Sequence, residues 1–244
     1  MPGQVVDTES AREFMKEALS RISGEETEAI VSALRDKSRR FQALLDRDAL
    51  RGLGEEGLRR ILRSVFSTRR TTPTILRENG VDALRDRIGE LLYGGRNTAA
   101  RFEEFCARLD GVDDSIRFDL ASELLHYNQP EEYWLWNRWM WNPRNQTGAL
   151  RLVTMDGHDF RGRDRGEAYL KVGEAVAFVS ETAKAAGFQS AASGLFGTTV
   201  YLCLVYVIYV YTTLRLRMTQ EFNKVVPALP ELSRRILGVH RLEV

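Results

Sequence analysis

The chain has 244 residues, 43% hydrophobic and 28% charged, enough to bury a core without disulfides or metal and too apolar for global disorder. Its 35 basic and 34 acidic side chains nearly cancel, which excludes a protein that coats nucleic acid indiscriminately. Cys106 and Cys203 stand far apart with no CxxC, so neither a disulfide framework nor a zinc ribbon is expected.

Met1 to Ser10 is polar and acidic, with no apolar leader behind it, and the expected location is cytoplasmic. Ser10 is placed to cap a helix through Phe14, Ala18, Leu19 and Ile22. Ser23 and Glu26 fit a capping box, in which hydroxyl and carboxylate each satisfy an orphan backbone N–H. The helix behind them carries Ile30, Leu34, Phe41 and Leu45 at helical spacing. Gly54 opens another, with Leu58, Leu62, Val65 and Phe66 on its apolar side and Arg59, Arg60 and Arg63 beside them. Pro73 breaks the pattern. Helices resume over 81–93, 97–109 and 114–127, punctuated by Gly94-Gly95 and Gly111.

Residues 142–166, with Pro143 and four glycines, read as a long loop, with one short strand possible over Ala149 to Thr154. A helix follows from Glu167 to Ala186. Residues Ala185 to Leu214 then hold no charged side chain. A bilayer span needs roughly 20 apolar residues, so residues 195–214 have the length for one. Tyr201, Tyr206, Tyr209 and Tyr211 lie inside the run, however, and the basic tail behind it opposes the positive-inside tendency. The leading expectation is a buried core helix near Thr198–Met218.

The organisation expected is mainly α: a multi-helix bundle with a long apolar C-terminal helix and little or no sheet. Its parts are an N-terminal helical region 1–141, a loop 142–166, and a C-terminal helical region 167–244 packed with the first as one unit.

All four tryptophans fall in Tyr133-Trp134-Leu135-Trp136-Asn137-Arg138-Trp139-Met140-Trp141. On a helix, Trp134 and Trp141 share one face and Trp136 and Trp139 another. Such a ribbon cannot bury every ring against one core. Either rings wedge between helices with the rest half-covered, or the ribbon is a surface for a partner or ligand. Glu123 and His126 share a helix face at the Glu-x-x-His spacing, but a di-iron bundle needs a second such pair. The chain has none, and only His126, His158 and His240 as histidines; no metal site is expected. The loop around Arg161, Arg163 and Arg165 alternates these arginines with aspartates. Arginine forks suit phosphates and carboxylates, while alternating signs point to a solvated, internally paired loop. Arg69-Arg70 form a second modest basic spot. Neither has the extent of a nucleic-acid groove. No Walker lysine loop, GxGxxG after a strand, HExxH or GxSxG occurs, so no catalytic residue and no cofactor is nominated.

Gly111-Val112, the helix ending Leu124-Leu125-His126, then Pro130, Tyr133 and Asn137 follow one another in a suggestive order. The stretch resembles the hairpin and following helix of the helix-hairpin-helix DNA glycosylase superfamily and of related DNA-binding modules in restriction proteins. That resemblance implies backbone N–H groups of the hairpin set against DNA phosphates. Asp113 stands where the second hairpin glycine would be, and Asn137 where base-excision members carry an aspartate. Asparagine cannot replace a carboxylate as proton acceptor, and no lysine nucleophile lies in the stretch. The likeness therefore implies binding without base excision.

The leading functional expectation is a non-catalytic helical accessory subunit. It would present Tyr133, Trp134, Trp136, Asn137, Trp139 and Trp141, with His126 and Arg161, Arg163 and Arg165 nearby, to a protein partner. Two alternatives accompany it: a nucleic-acid-binding module of a repair or restriction system, and a membrane-associated subunit acting through residues 195–214.

Overall fold

The computed structural model describes residues 5–185, 194–217 and 227–240; at 185 and 214–217 it describes backbone only. Among these residues the chain is mainly helical and holds no strand, its β pairing being two isolated bridges, Val6–Thr154 and Asn142–Thr147. The helices are α1 Thr8–Arg21, α2 Gly24–Leu45, α3 Arg47–Arg51, α4 Glu55–Ser64, α5 Thr72–Asn79, α6 Val81–Tyr93, α7 Thr98–Arg108, α8 Asp114–Asn128, α9 Ala149–Val153, α10 Arg165–Ala185, α11 Gly197–Arg217 and α12 Leu229–Ile236.

Local chemistry sets most of these boundaries. Asp7, not Ser10, caps α1: its Oδ1 accepts from the N–H groups of Glu9 and Ser10, each at 3.2 Å. A carboxylate here also meets the positive end of the helix dipole. The Ser23–Glu26 capping box forms, with Ser23 N–H donating to Glu26 Oε2 at 2.9 Å and Glu26 N–H to Ser23 Oγ at 3.1 Å. Pro73 sits in the first turn of α5, where its missing N–H costs nothing. Gly80, with φ of 71°, separates α5 from α6.

Residues Ala149–Val153 are a helix rather than a strand. Only Thr154, just beyond, pairs as a bridge to Val6. The loop expected over 142–166 is therefore interrupted. Its first part is a tight turn in which Asn142 N–H donates to Thr147 O at 2.7 Å. Gly148, with φ of 132°, closes it; a Cβ there would stand 2.5 Å from Met140 O, so no other residue fits.

The chain divides into two compact units that interleave distant segments. The first takes the described residues of 1–34, 139–158 and 175–240. Here Tyr201 Oη on α11 donates to Ala11 O on α1 at 3.0 Å, and Val200–Val205, Val207 and Ile208 are buried. Met218, the expected end of that helix, lies outside the described residues. No helix among the described residues is long and apolar enough to cross a membrane.

The second unit takes the described residues of 35–138 and 159–174. Its interior is organised on α8, where Phe118 to Asn128 are all buried. Leu58, Ile61 and Leu62 of α4, Leu84, Ile88 and Leu91 of α6, and Phe102 and Phe105 of α7 complete that unit's core. Cys106 lies in this core and Cys203 in the other, both as free thiols.

Candidate functional site

The tryptophan segment is not helical. After α8 the chain runs through turns and extended backbone from 131 to 148, so the helical-face expectation does not hold. In the second unit Trp136 is buried, with its ring stacked on Phe118 at 4.3 Å and on Phe102 at 6.0 Å between centroids. Its backbone N–H donates to Ser122 Oγ at 2.5 Å. Trp134 is half-buried, and its carbonyl accepts from Tyr169 Oη at 2.9 Å. In the first unit Trp139 and Trp141 are both buried, and the Trp139 ring lies 6.3 Å from that of Tyr206. Three of the four indoles are thus committed to core packing in their own units.

Polar groups nominated from the sequence meet in the second unit, under α8. Glu123 and His126 do share one face of that helix, and the face is buried. Glu123 Oε2 pairs with Lys37 Nζ of α2 at 2.6 Å, while Glu123 Oε1 accepts from Asn137 Nδ2 at 2.9 Å. Lys37 is wholly buried, with its ammonium 4.2 Å from the centroid of the Tyr127 ring. Burial pulls its pKa down, and Glu123 opposes that pull. His126 Nδ1 donates to Tyr133 O at 2.8 Å; the carbonyl can only accept, so Nδ1 carries the proton of the neutral ring. Burial lowers the His126 pKa to about 4, with the Tyr133 bond opposing and Lys37 reinforcing.

One turn earlier, Asp119 accepts from both the backbone N–H and Nε of Arg138, each at 3.0 Å. Burial raises its pKa to about 7, with Arg138 opposing. No group of three or more His, Cys, Asp or Glu side chains among the described residues is arranged to hold a metal ion. Sequence reasoning nominated Glu123, His126 and Asn137 but missed Lys37 and Asp119. On their own helices nothing distinguishes these two from solvated charges.

The three loop arginines are also spoken for. Arg161 Nε pairs with Asp159 at 2.9 Å, and Arg163 Nε with Glu167 at 2.7 Å. Arg165 reaches Glu103 at 3.2 Å and Asp114 at 2.9 Å. The glycine turn between α7 and α8 is sharp: Gly111 has φ of 79°, and a Cβ there would crowd Glu78 Cγ at 2.8 Å. Its rim carries exposed Asp110, Asp113 and Asp114, so a phosphate approaching those backbone groups would meet three carboxylates.

A different feature stands out at the surface. Sequence periodicity put Phe66 on the apolar face of α4, but the helix ends at Ser64. Leu58, Leu62 and Val65 are buried, whereas Phe66 is 57% exposed. The turn that carries it is pinned from within. The buried Thr68 hydroxyl donates to Leu62 O at 2.5 Å, Thr72 Oγ1 donates to Thr68 O at 2.9 Å, and Arg69 N–H donates to Val65 O at 3.1 Å. Arg63, Arg69 and Arg70 flank the ring in the chain, and all three are exposed.

The arginines of the cleft between α6 and α7 hold protein acceptors. Arg96 and Arg108 share Glu104, Arg87 bonds Asn79 Oδ1 and Arg108 O, and Arg101 bonds Tyr133 Oη.

Compared with protein-family models, curated proteins and solved structures, the chain matches none of them.

Proposed function

We propose that this chain is a helical accessory protein that acts by binding a macromolecular partner, and that the α4–α5 turn is the surface it offers. The observation carrying this reading is Phe66: a large ring held out in water on a turn that buried hydrogen bonds keep rigid. Fully burying a phenylalanine side chain is worth about 1.5–3 kcal/mol, and more than half of this one is left unburied. A rigid display also avoids part of the ordering cost that a floppy loop would add on binding. Trp136 has a supporting role in this reading, packing against Phe118 of α8. In the first unit, α11 is read as an apolar core helix rather than a membrane element, supported by the burial of Val200–Val205, Val207 and Ile208.

The test is a side-by-side purification of tagged wild type and Phe66→Ala from native cells without detergent. Co-purifying protein is identified by mass spectrometry, and nucleic acid by ultraviolet absorbance. The expected result is a stoichiometric macromolecule with wild type that is lost with Phe66→Ala. A bare chain from both, or equal recovery with both, overturns the proposal.

A further inference from the structure

We infer that the cleft between α6 and α7 binds a small organic carboxylate, with its anionic end on Arg101 and Arg87 and its carbon body against Leu91 and Phe105. The cleft lies within the second unit, apart from the α4–α5 turn, and its assignment does not depend on that surface. Arg87, Glu90 and Leu91 share a face of α6 at helical spacing, as Arg101, Glu104, Phe105 and Arg108 do on α7. The cleft they line holds about 100 Å³. Leu91 and Phe105 are buried and form its apolar wall.

The arginines of the cleft hold acceptors of two kinds. Arg96 and Arg108 both pair with Glu104, at 2.5 and 2.8 Å, so charge meets charge. Arg87 and Arg101 hold only neutral oxygens. Arg87 donates to Asn79 Oδ1 and Arg108 O. Arg101 donates to Leu91 O, Thr98 Oγ1 and Tyr133 Oη. Those bonds fix the Arg101 guanidinium through both Nη atoms and leave its Nε buried with no acceptor. A buried donor of a charged group is unfavourable until an acceptor reaches it, and the cleft that Arg101 lines is where one can enter.

The balance of charge selects the ligand. Four arginines and three carboxylates line the cleft, a formal surplus of one positive charge. A monoanion neutralises that surplus. A phosphate dianion overshoots it and meets the exposed carboxylates of Asp86 and Glu90. A planar carboxylate also matches the in-plane donors of a guanidinium. The apolar wall then covers a short carbon chain behind the headgroup.

The experiment titrates butyrate into the isotopically labelled full chain at fixed pH and ionic strength. It follows the side-chain Nε–H signal of Arg101 by nuclear magnetic resonance, assigned by its loss in Arg101→Lys. The expected result is a saturable shift of that signal with butyrate and none with butyramide, its neutral counterpart. Arg87→Gln should weaken butyrate binding at least about tenfold, the loss of one charged hydrogen bond. Glu90→Gln removes an exposed like charge and should tighten binding by up to about fivefold. Should Arg87→Gln fail to fold, the wild-type Arg101 shift and the Glu90→Gln response still decide. No saturable shift, an equal shift with butyramide, or affinity unchanged by Arg87→Gln would each overturn the inference. So would weaker binding by Glu90→Gln, which would make that carboxylate a ligand contact, or tighter binding of monoethyl phosphate than of butyrate.

Discussion

Helix α8 and the α4–α5 turn belong to the same unit and use their side chains in opposite ways. Helix α8 carries the groups that usually signal chemistry, Asp119, Glu123 and His126, and faces all of them inward onto Arg138, Lys37, Asn137 and the Tyr133 carbonyl. The turn carries nothing that reads as a site, yet it exposes Phe66 among arginines. Burying an ion pair costs desolvation that its attraction only partly returns. Buried polar groups of this kind specify which partners a helix accepts, whereas an uncovered ring leaves association free energy available to another molecule. The difference teaches that chemically capable residues mark function only where they are reachable.

The contrast can be broken most sharply from the α8 side. Trp136→Ala removes a ring stacked against Phe118 and Phe102 and should cost about 4–5 kcal/mol in urea denaturation. A loss below 1 kcal/mol would return the ring to the surface. Glu123→Ala strands the Lys37 ammonium and should cost about 3–4 kcal/mol, because an unpaired buried charge is left behind. Adding Lys37→Met should recover most of that loss, and a double variant no better than the single would show that the two residues do not act as a pair.

The titrations of α8 predict opposite pH signatures. His126 is held neutral, its pKa lowered from 6.5 to about 4. Its contribution is therefore present above pH 6.5 and is lost as pH falls toward 4. Asp119 is raised from 3.8 to about 7, so its contribution is present below pH 3.8 and is lost as pH rises toward 7. Subtracting the stability curve of His126→Gln from that of wild type should leave a difference rising from pH 4 to 6.5; Asp119→Asn should leave one falling from pH 4 to 7. The smallest effect belongs to Arg161→Gln. It removes an exposed pair with Asp159 and should move the denaturation midpoint by an amount worth less than about 0.5 kcal/mol.

Much of the fold was legible because its signals are local. Ser23 with Glu26, Pro73, and the glycines at 54, 94 and 111 mark helix boundaries by chemistry that acts within a few residues. Within the charge-free run ahead of Leu214, Val200–Val205, Val207 and Ile208 are buried. The strand expected at Ala149–Thr154 became a helix because Gly148 and the 142–147 turn set its start, and five residues are too few for periodicity to decide.

Sites were less legible, since burial depends on contacts between distant residues. Lys37 lies 86 positions from Glu123, and on α2 it reads as an ordinary solvated charge. Conversely, Phe66 fits the apolar stripe of α4 by spacing, and only the end of that helix at Ser64 turns it outward. The missing signal was the stop itself: Thr68, whose hydroxyl competes for the carbonyls of Leu62 and Val65.

The most direct test of the account installs a photo-crosslinking phenylalanine analogue in the full chain at Phe66 and, separately, at exposed Glu131 beside the tryptophan segment. After irradiation in native cells, the account predicts a discrete macromolecular adduct from position 66 and none from 131. An adduct from 131 alone, or from neither, would contradict the claim that binding resides in the α4–α5 turn.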